Sequence, residues 1–157
     1  MESRIETIKP KNLVGMHMKM SLSNNRTSEL WQRFMPLRGK VKNRVNSDFI
    51  SMQVYEKNQE NLFAPATQFE KWAVVEVSTC EEVPDEMESY FLSGGKYAVF
   101  IHKGPAGAFP KTMQYIFGSW FPESGYELDD REHFEILPEN YNPTDPEARE
   151  EVWIPIK

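Results

Sequence analysis

The C-terminal segment, residues 150–156, carries the side chains that most clearly could bind a ligand or take part in a reaction. Its composition predicts a strand, and successive side chains of a strand point to opposite faces, so Glu151 and Trp153 share one face while Val152 and Ile154 share the other. Burying a carboxylate beside an indole is costly unless another charge compensates it. We expect Glu151 to lie at the floor of an aromatic pocket that receives a cation. The alternative is that Glu151 lies near the strand end and stays solvated.

Such a pocket would favour flat, lipophilic cations. A cation over the face of a tryptophan gains roughly 0.5–2 kcal/mol, and a nearby carboxylate adds to this because dry surroundings strengthen electrostatic attraction. Stacking tolerates many ring types, so selectivity should be broad. Desolvation should raise the pKa of Glu151 in the empty pocket, and a bound cation should lower it. Cation binding is therefore expected to tighten as pH rises through this titration.

Composition limits the other classes of function. The chain of 157 residues is long enough for one domain with a sizeable core. A net charge of −6 disfavours nonspecific binding to nucleic acid. The single cysteine, Cys80, excludes an intrachain disulfide and a cysteine-based metal site. The three histidines are far apart, and zinc-protease, phosphate-loop and serine-hydrolase motifs are missing, so we predict no metal and no cofactor.

Neither a membrane segment nor a signal peptide is expected. No apolar run approaches the roughly 20 residues that span a bilayer, and the N-terminus runs directly into an alternating segment without an apolar stretch typical of a leader. A cytoplasmic location is the simplest expectation.

Two aromatic helices are predicted to position the pocket residues. The first, residues 27–41, carries Trp31 and Phe34 on an apolar stripe, and Pro36 should kink or end it. The second begins near Pro110, carries a stripe that includes Trp120 and Phe121, and should end at Pro122 and Gly125. Strands are predicted around these helices at residues 13–18, 49–55, 69–77, 96–102, 134–137 and 150–156.

The element order is duplicated. A shift of 86 residues lays residues 30–36 over 116–122, with proline on proline and bulky apolar residues matched at most other positions. We predict an α+β fold made of two β-α-β-β units, residues 1–80 and 95–157, joined by an acidic connector at 81–94. Antiparallel sheets paired about a pseudo-twofold axis would place both helices on one side.

The groove between those helices is the predicted ligand site. We expect Trp31, Phe34, Trp120 and Phe121 to line it, with Tyr55 and Trp153 beneath. The alternative for each single ring is ordinary core packing, although four tryptophans and six tyrosines favour some rings in a ligand site.

The chain resembles the GyrI-like small-molecule-binding family, which includes effector-binding domains of AraC-type and multidrug-responsive bacterial transcription activators. No single motif is as specific as a metal motif, but the order and spacing are jointly distinctive. The segments that carry the resemblance are GKYAVFIHKGP at residues 95–105, GSWFPESGY at 118–126, FE at 134–135 and EVWIPI at 151–156.

The resemblance implies a tandem β-α-β-β fold of the SHS2-like type whose central groove holds hydrophobic, often cationic, compounds. The family's acidic ligand contact on the final strand falls on Glu151, and neighbouring pocket positions fall on Trp153 and Tyr55. Glu135 matches a second recurrent acid. Family members that regulate transcription carry a helix-turn-helix domain, and this chain starts almost directly at the first strand, so we expect a standalone binding protein without direct DNA binding.

Two alternative functions follow from the resemblance. Some family members resemble hydrolases of strained electrophilic rings such as cyclopropanes, in which Glu151 and Glu135 would activate water and Tyr55 would donate a proton. The family name also suggests a protein partner, DNA gyrase, toward which acidic segments at residues 81–82 and 129–132 could imitate nucleic acid. Simple solubility is the competing explanation for that acidic surface.

Overall fold

The computed structural model describes all residues, 1–157. It contains eight strands and two helical segments, and the six predicted strands and both predicted helical segments occur in the predicted order. The strands are β1 (Ser3–Ile8), β2 (Lys11–Met20), β3 (Phe49–Tyr55), β4 (Phe69–Val77), β5 (Glu88–Leu92), β6 (Gly95–Lys103), β7 (His133–Leu137) and β8 (Arg149–Pro155). The helices are α1 (Thr27–Phe34), α2 (Phe109–Tyr115) and α3 (Phe121–Ser124).

One antiparallel sheet unites the two halves. Its strand order is β1-β6-β8-β7-β3-β4-β2-β5, so the second strands of the two units, β3 and β7, pair at the centre. From β3 the sheet continues outward through β4, β2 and β5, and from β7 it continues through β8, β6 and β1. The predicted α+β fold with tandem β-α-β-β units about a pseudo-twofold axis is confirmed.

An added strand lies at each edge of the sheet. The N-terminal β1 pairs with β6 of the second unit, and β5 pairs with β2 of the first. Neither strand was predicted from the sequence. Strand β5 lies inside the segment predicted as an acidic connector, and its Leu92 is fully buried. Acidic residues upstream of β5 concealed its short apolar part.

Proline and glycine shape both helical segments. Helix α1 ends at Phe34 and continues as a 3₁₀ turn, Met35–Lys40, with Pro36 near its start. After α2 a π-helical turn, Ile116–Trp120, leads into α3, where Pro122 occupies the first turn and does not end the helix. Gly125 ends it in the left-handed conformation, with φ of 77°.

The sheet separates three apolar clusters. On the helix side, one cluster packs β2, β3 and β4 against α1, and another packs β6 and β8 against the second helical segment. The opposite side carries a cluster that runs from Leu13 to Trp153 across both units. The cavity lies on the helix side, between the two helix-packed clusters. No helix has the length and apolar character to cross a membrane.

Candidate ligand-binding site

A cavity of about 770 Å³ lies above the centre of the sheet, between α1 and α2. This volume is in the range of pockets that hold drug-sized ligands. Strands β3, β4, β7 and β8 form its floor, and helix residues with the loops at 61–65 and 138–143 form its walls. Its floor and walls include Trp31, Gln53, Tyr55, Phe63, Phe69, Lys71, Phe109, His133, Glu135, Tyr141 and Glu150.

Strand alternation selects the floor residues. Register pairs place Ser51 opposite Glu135 and Gln53 opposite Lys71, and directly paired residues share one face of the sheet. On β8, Glu150 has the same parity as Val152, which packs on the helix side. The two units thus bring two acids and one lysine to the centre of one face.

Aromatic rings surround this polar centre. The Tyr55 ring lies 5.4 Å from Phe69, 6.2 Å from Phe63 and 5.2 Å from His133, measured between ring centroids. Trp31 adds an indole from α1. Rings that meet edge to face leave other faces free for a planar or aryl-bearing ligand.

Glu135 and Lys71 form a buried ion pair. Their side chains are 11% and 8% exposed, and Lys71 Nζ lies 3.9 Å from Glu135 Oε1. Gln53 Nε2 donates a hydrogen bond of 3.1 Å to the same oxygen. Burial raises the pKa of Glu135, and the Lys71 charge and the Gln53 hydrogen bond offset this only in part.

Glu150 is the acid that titrates near neutrality. Burial, together with the negative charge of Glu135, raises the pKa of Glu150 to about 7; a hydrogen bond from Tyr141 and the Lys71 charge oppose the rise. Burial and the neighbouring Glu150 in turn raise the pKa of Tyr141 to about 12. A nearby cation would therefore favour ionisation of Glu150.

Two further ring side chains stay neutral at pH 7. Burial lowers the pKa of His133 to about 4, helped by the charge of Arg131. Burial and the charge of Glu135 raise the pKa of Tyr55. The charge of the cavity floor at pH 7 is therefore set by Lys71, Glu135 and Glu150, while the exposed Glu139 lies on the cavity wall.

Of the predicted site residues, the structure brings Tyr55, Trp31 and Glu135 to the cavity. The structure does not place Glu151 on the cavity floor, where it was predicted. Glu151 faces the opposite side of the sheet, its side chain is 35% exposed, and its Oε2 accepts a 3.0 Å bond from Arg4. Trp153 shares that face, where it stacks on Phe134 at 5.3 Å. The strand alternation was correct, but the face that carries the cavity was misassigned.

The remaining ring predictions also need correction. Phe34 is fully buried in the core beneath α1. Trp120 packs edge-on against Phe100 at 5.0 Å, and Phe121 stacks with Phe117 at 5.3 Å. None of the three lines the cavity. The π turn, Ile116–Trp120, interrupts the 3.6-residue period from which the second apolar stripe was predicted.

Lys71, Gln53 and Glu150 were missed at the sequence level. Lys71 lies between Phe69-Glu70 and an apolar run that begins at Trp72. This position is a signal, because a lysine inside a buried strand needs a partner. Glu150 could have been found by extending the inward parity of Val152 by two residues. Across the whole chain, no group of three or more histidine, cysteine or acidic side chains could hold a metal ion.

Comparison with known proteins confirms the resemblance. The model of the GyrI-like small molecule binding domain matches residues 1–157. The transcriptional regulator BrlR of Pseudomonas aeruginosa is 27% identical over 157 residues, which cover 99% of this chain and 56% of BrlR. The chain thus spans about half the length of this curated relative.

Solved structures share the fold. SAV2435 bound to tetraphenylphosphonium superposes with a TM-score of 0.76 and 17% identity, covering 100% of this chain and 94% of that one. A hydrolase encoded by lin2189 from Listeria innocua has a TM-score of 0.61 and 11% identity, covering 99% and 92%.

Proposed function

The chain belongs to the GyrI-like small molecule binding domain family, and from this premise we propose that its cavity binds hydrophobic organic cations. The observation that carries the proposal is the pair of buried acids, Glu135 and Glu150, on the floor of a cavity whose walls are mainly aromatic and aliphatic. With Lys71 as the single nearby cation, ionisation of both acids leaves one negative charge uncompensated.

A lipophilic cation suits both the acidic floor and the apolar walls of the cavity. Its aryl or alkyl groups replace water against Trp31, Tyr55 and Phe63, and its charge offsets the surplus negative charge, which is otherwise expensive to bury. SAV2435, which shares the fold, was solved with such a cation, tetraphenylphosphonium. Binding is coupled to proton release, since the cation stabilises the ionised form of Glu150.

A pair of isosteric ions tests the charge preference. Isothermal titration calorimetry at pH 8 compares tetraphenylphosphonium with tetraphenylborate, which has the same shape and the opposite charge. We expect the cation to bind at least about tenfold more tightly, a difference of about 1.4 kcal/mol. In the variant Glu135→Gln/Glu150→Gln the preference for the cation should be lost or reversed, because Lys71 is then the only charged side chain on the cavity floor.

Equal affinities of the two ions for the wild type would contradict the proposal, as would an unchanged preference in the double variant. Circular dichroism of the variant establishes that it is folded. The matched control Glu151→Gln removes a carboxylate of the same type on the opposite face of the sheet and should retain the preference.

Hydrolysis of an electrophilic small molecule is the second candidate, favoured by the pKa of Glu150 near 7. A carboxylate of this basicity can take a proton from water at neutral pH. Glu150 replaces Glu151 in this role, beside Glu135, with Tyr55 or Tyr141 as the proton donor. Single-turnover hydrolysis of an electrophilic cyclopropane by the wild type, lost in Glu150→Gln, would support it; equal rates with and without protein would refute it.

A further inference from the structure

Lys71 is the only lysine among the buried residues, and cation binding gives it no direct role. An ammonium on the cavity floor repels a cationic ligand and lowers the net negative charge that attracts it. Lysine is also costly to bury, so its presence in the central strand β4 calls for a chemical explanation.

The amine of Lys71 has only a weak electrostatic interaction with its nearest acid. Its only ionic partner, Glu135, is 3.9 Å away, beyond the normal length of a hydrogen bond. Glu135 Oε1 already accepts the 3.1 Å hydrogen bond from Gln53. The side chain lines the cavity, so a molecule that fills this space can reach Nζ.

Burial makes the charged form of the Lys71 amine less favourable than it is in water. Burial lowers the pKa of Lys71, and the charges of Glu135 and Glu150 offset this only in part. Other titratable groups that line the cavity are Tyr55 on β3, His133 on β7, and Glu139 and Tyr141 in the following loop. A desolvated lysine with a neutral fraction is the form that attacks carbonyl groups.

We propose that Lys71 is a nucleophile that captures hydrophobic aldehydes in the cavity as an imine. This activity goes beyond the proposed cation binding and does not depend on it. The ligand class follows from the walls: the aromatic rings of Trp31, Phe63 and Phe109 accept an aryl or long alkyl group, while the aldehyde carbon meets the amine at the floor.

The chemistry balances without an external reagent. The lone pair of the Lys71 amine forms a bond to the aldehyde carbon, and the carbonyl π electrons move to oxygen, which gains the proton that nitrogen loses. The resulting carbinolamine then breaks its carbon–oxygen bond, and the hydroxyl leaves as water after it takes a proton from Glu150. The nitrogen lone pair forms the C=N bond, and the iminium returns its proton to Glu150 to give the imine.

Glu150 suits the proton transfers because its pKa of about 7 lets it donate and accept near neutrality. Glu135 remains as the counter-ion for the iminium, at the place where it now faces the ammonium. It stabilises this transient cation until the proton passes to Glu150.

Reductive trapping tests the proposal. The wild-type protein is incubated at pH 7 with cinnamaldehyde and sodium cyanoborohydride, and modified lysines are located by peptide mass mapping over time. Lys103, whose side chain is 50% exposed, is the internal reference. We expect Lys71 to be alkylated about tenfold faster than Lys103, because the cavity supplies both a neutral amine and a binding surface for the aryl group.

Labelling of Lys103 without labelling of Lys71, or equal rates at the two sites, would overturn the proposal. The variant Lys71→Arg keeps the charge opposite Glu135 but offers no neutral amine, so it should lose the fast phase and retain slow labelling of surface lysines. The Glu150→Gln variant should slow labelling of Lys71 and leave Lys103 unchanged.

Binding of tetraphenylphosphonium, measured on the same protein, distinguishes the failure of imine formation from the failure of cation binding. Fast labelling of Lys71 in a protein that does not bind tetraphenylphosphonium supports imine formation and overturns cation binding. Tight binding of the cation with no labelling of Lys71 overturns imine formation alone.

Discussion

Glu150 and Glu151 are neighbours in sequence, and the two faces of the sheet give them different chemistry. Glu150 faces the helices, is buried in the cavity and has a pKa raised to about 7 by burial and by Glu135. Glu151 faces the other side, is 35% exposed and pairs with Arg4 at 3.0 Å. Residue type is the same, so desolvation and neighbouring charge make the difference.

The two faces also differ in how they are filled. The face opposite the helices is continuously packed: Trp153 stacks on Phe134 and meets the fully buried Tyr97 at 5.9 Å. The helix face is packed at both sides but open in the middle, where α1 and α2 stand apart. One face therefore supplies cohesion between the units, and the other supplies space.

Removing a ring from the packed face should have the largest effect. Trp153→Ala is expected to lower the free energy of unfolding by about 3–5 kcal/mol, because it deletes a buried indole and leaves a cavity. Urea denaturation at pH 7 measures it. Trp31→Ala, on the open face, is the matched control and should cost less than about 2 kcal/mol, since its ring already borders space. Equal losses would break the contrast between the faces.

Ionisation of Glu150 should destabilise the ligand-free protein. Its folded pKa of about 7 lies above its ordinary value of 4.5, so the stabilisation is fully present below pH 4.5 and is lost as pH rises through 7. From pH 5 to pH 8 the wild type should lose on the order of 2 kcal/mol relative to Glu150→Gln. Urea unfolding of both proteins at the two pH values checks this. Parallel pH profiles would show that Glu150 does not titrate as buried.

Substitutions of the two neighbouring acids should differ by about one order of magnitude in their effect on cation affinity. At pH 8 we expect Glu150→Gln to weaken binding of tetraphenylphosphonium about tenfold and Glu151→Gln less than about twofold, because charge acts strongly across a dry cavity and weakly through solvent. Fluorescence titration measures both. Between pH 5.5 and pH 8 wild-type affinity should rise, and the rise should vanish in Glu150→Gln. If Glu151→Gln weakened binding more than Glu150→Gln, the ligand site would lie on the face of the sheet opposite the helices.

The smallest effect concerns His17, on the face opposite the helices. Its ring stacks on Trp72 at 4.2 Å, and its nitrogens contact Glu70 and Glu88. Burial lowers the pKa of His17, but the hydrogen bonds and charges of the two acids outweigh this and raise it above 6.5.

The resulting stabilisation is present below pH 6.5 and is lost as pH rises through the folded pKa. Since the side chain is 33% exposed, we expect His17→Gln to cost less than about 1 kcal/mol at pH 5.5 and about nothing at pH 9. Urea unfolding at both pH values measures the difference. A loss that is greater at pH 9 would reverse the assigned sign.

Sequence reasoning succeeded where a pattern repeats along the chain. The duplicated helix stripe and the matching prolines, Pro36 and Pro122, predicted two β-α-β-β units, and the units pair as expected. It failed for β5, whose apolar part is too short to stand out next to acidic residues, and for the π turn, which interrupts the 3.6-residue period that placed Trp120 and Phe121 in the groove.

Alternation within β8 was fixed by the sequence alone, because an extended chain must place Glu150 and Glu151 on opposite faces. Which of these faces would carry the cavity was decided only by tertiary structure. Both faces of β8 present bulky apolar residues, so local periodicity cannot rank them. The helices cover one face without filling it, and that long-range packing gives Lys71, Glu135 and Glu150 a common, desolvated space.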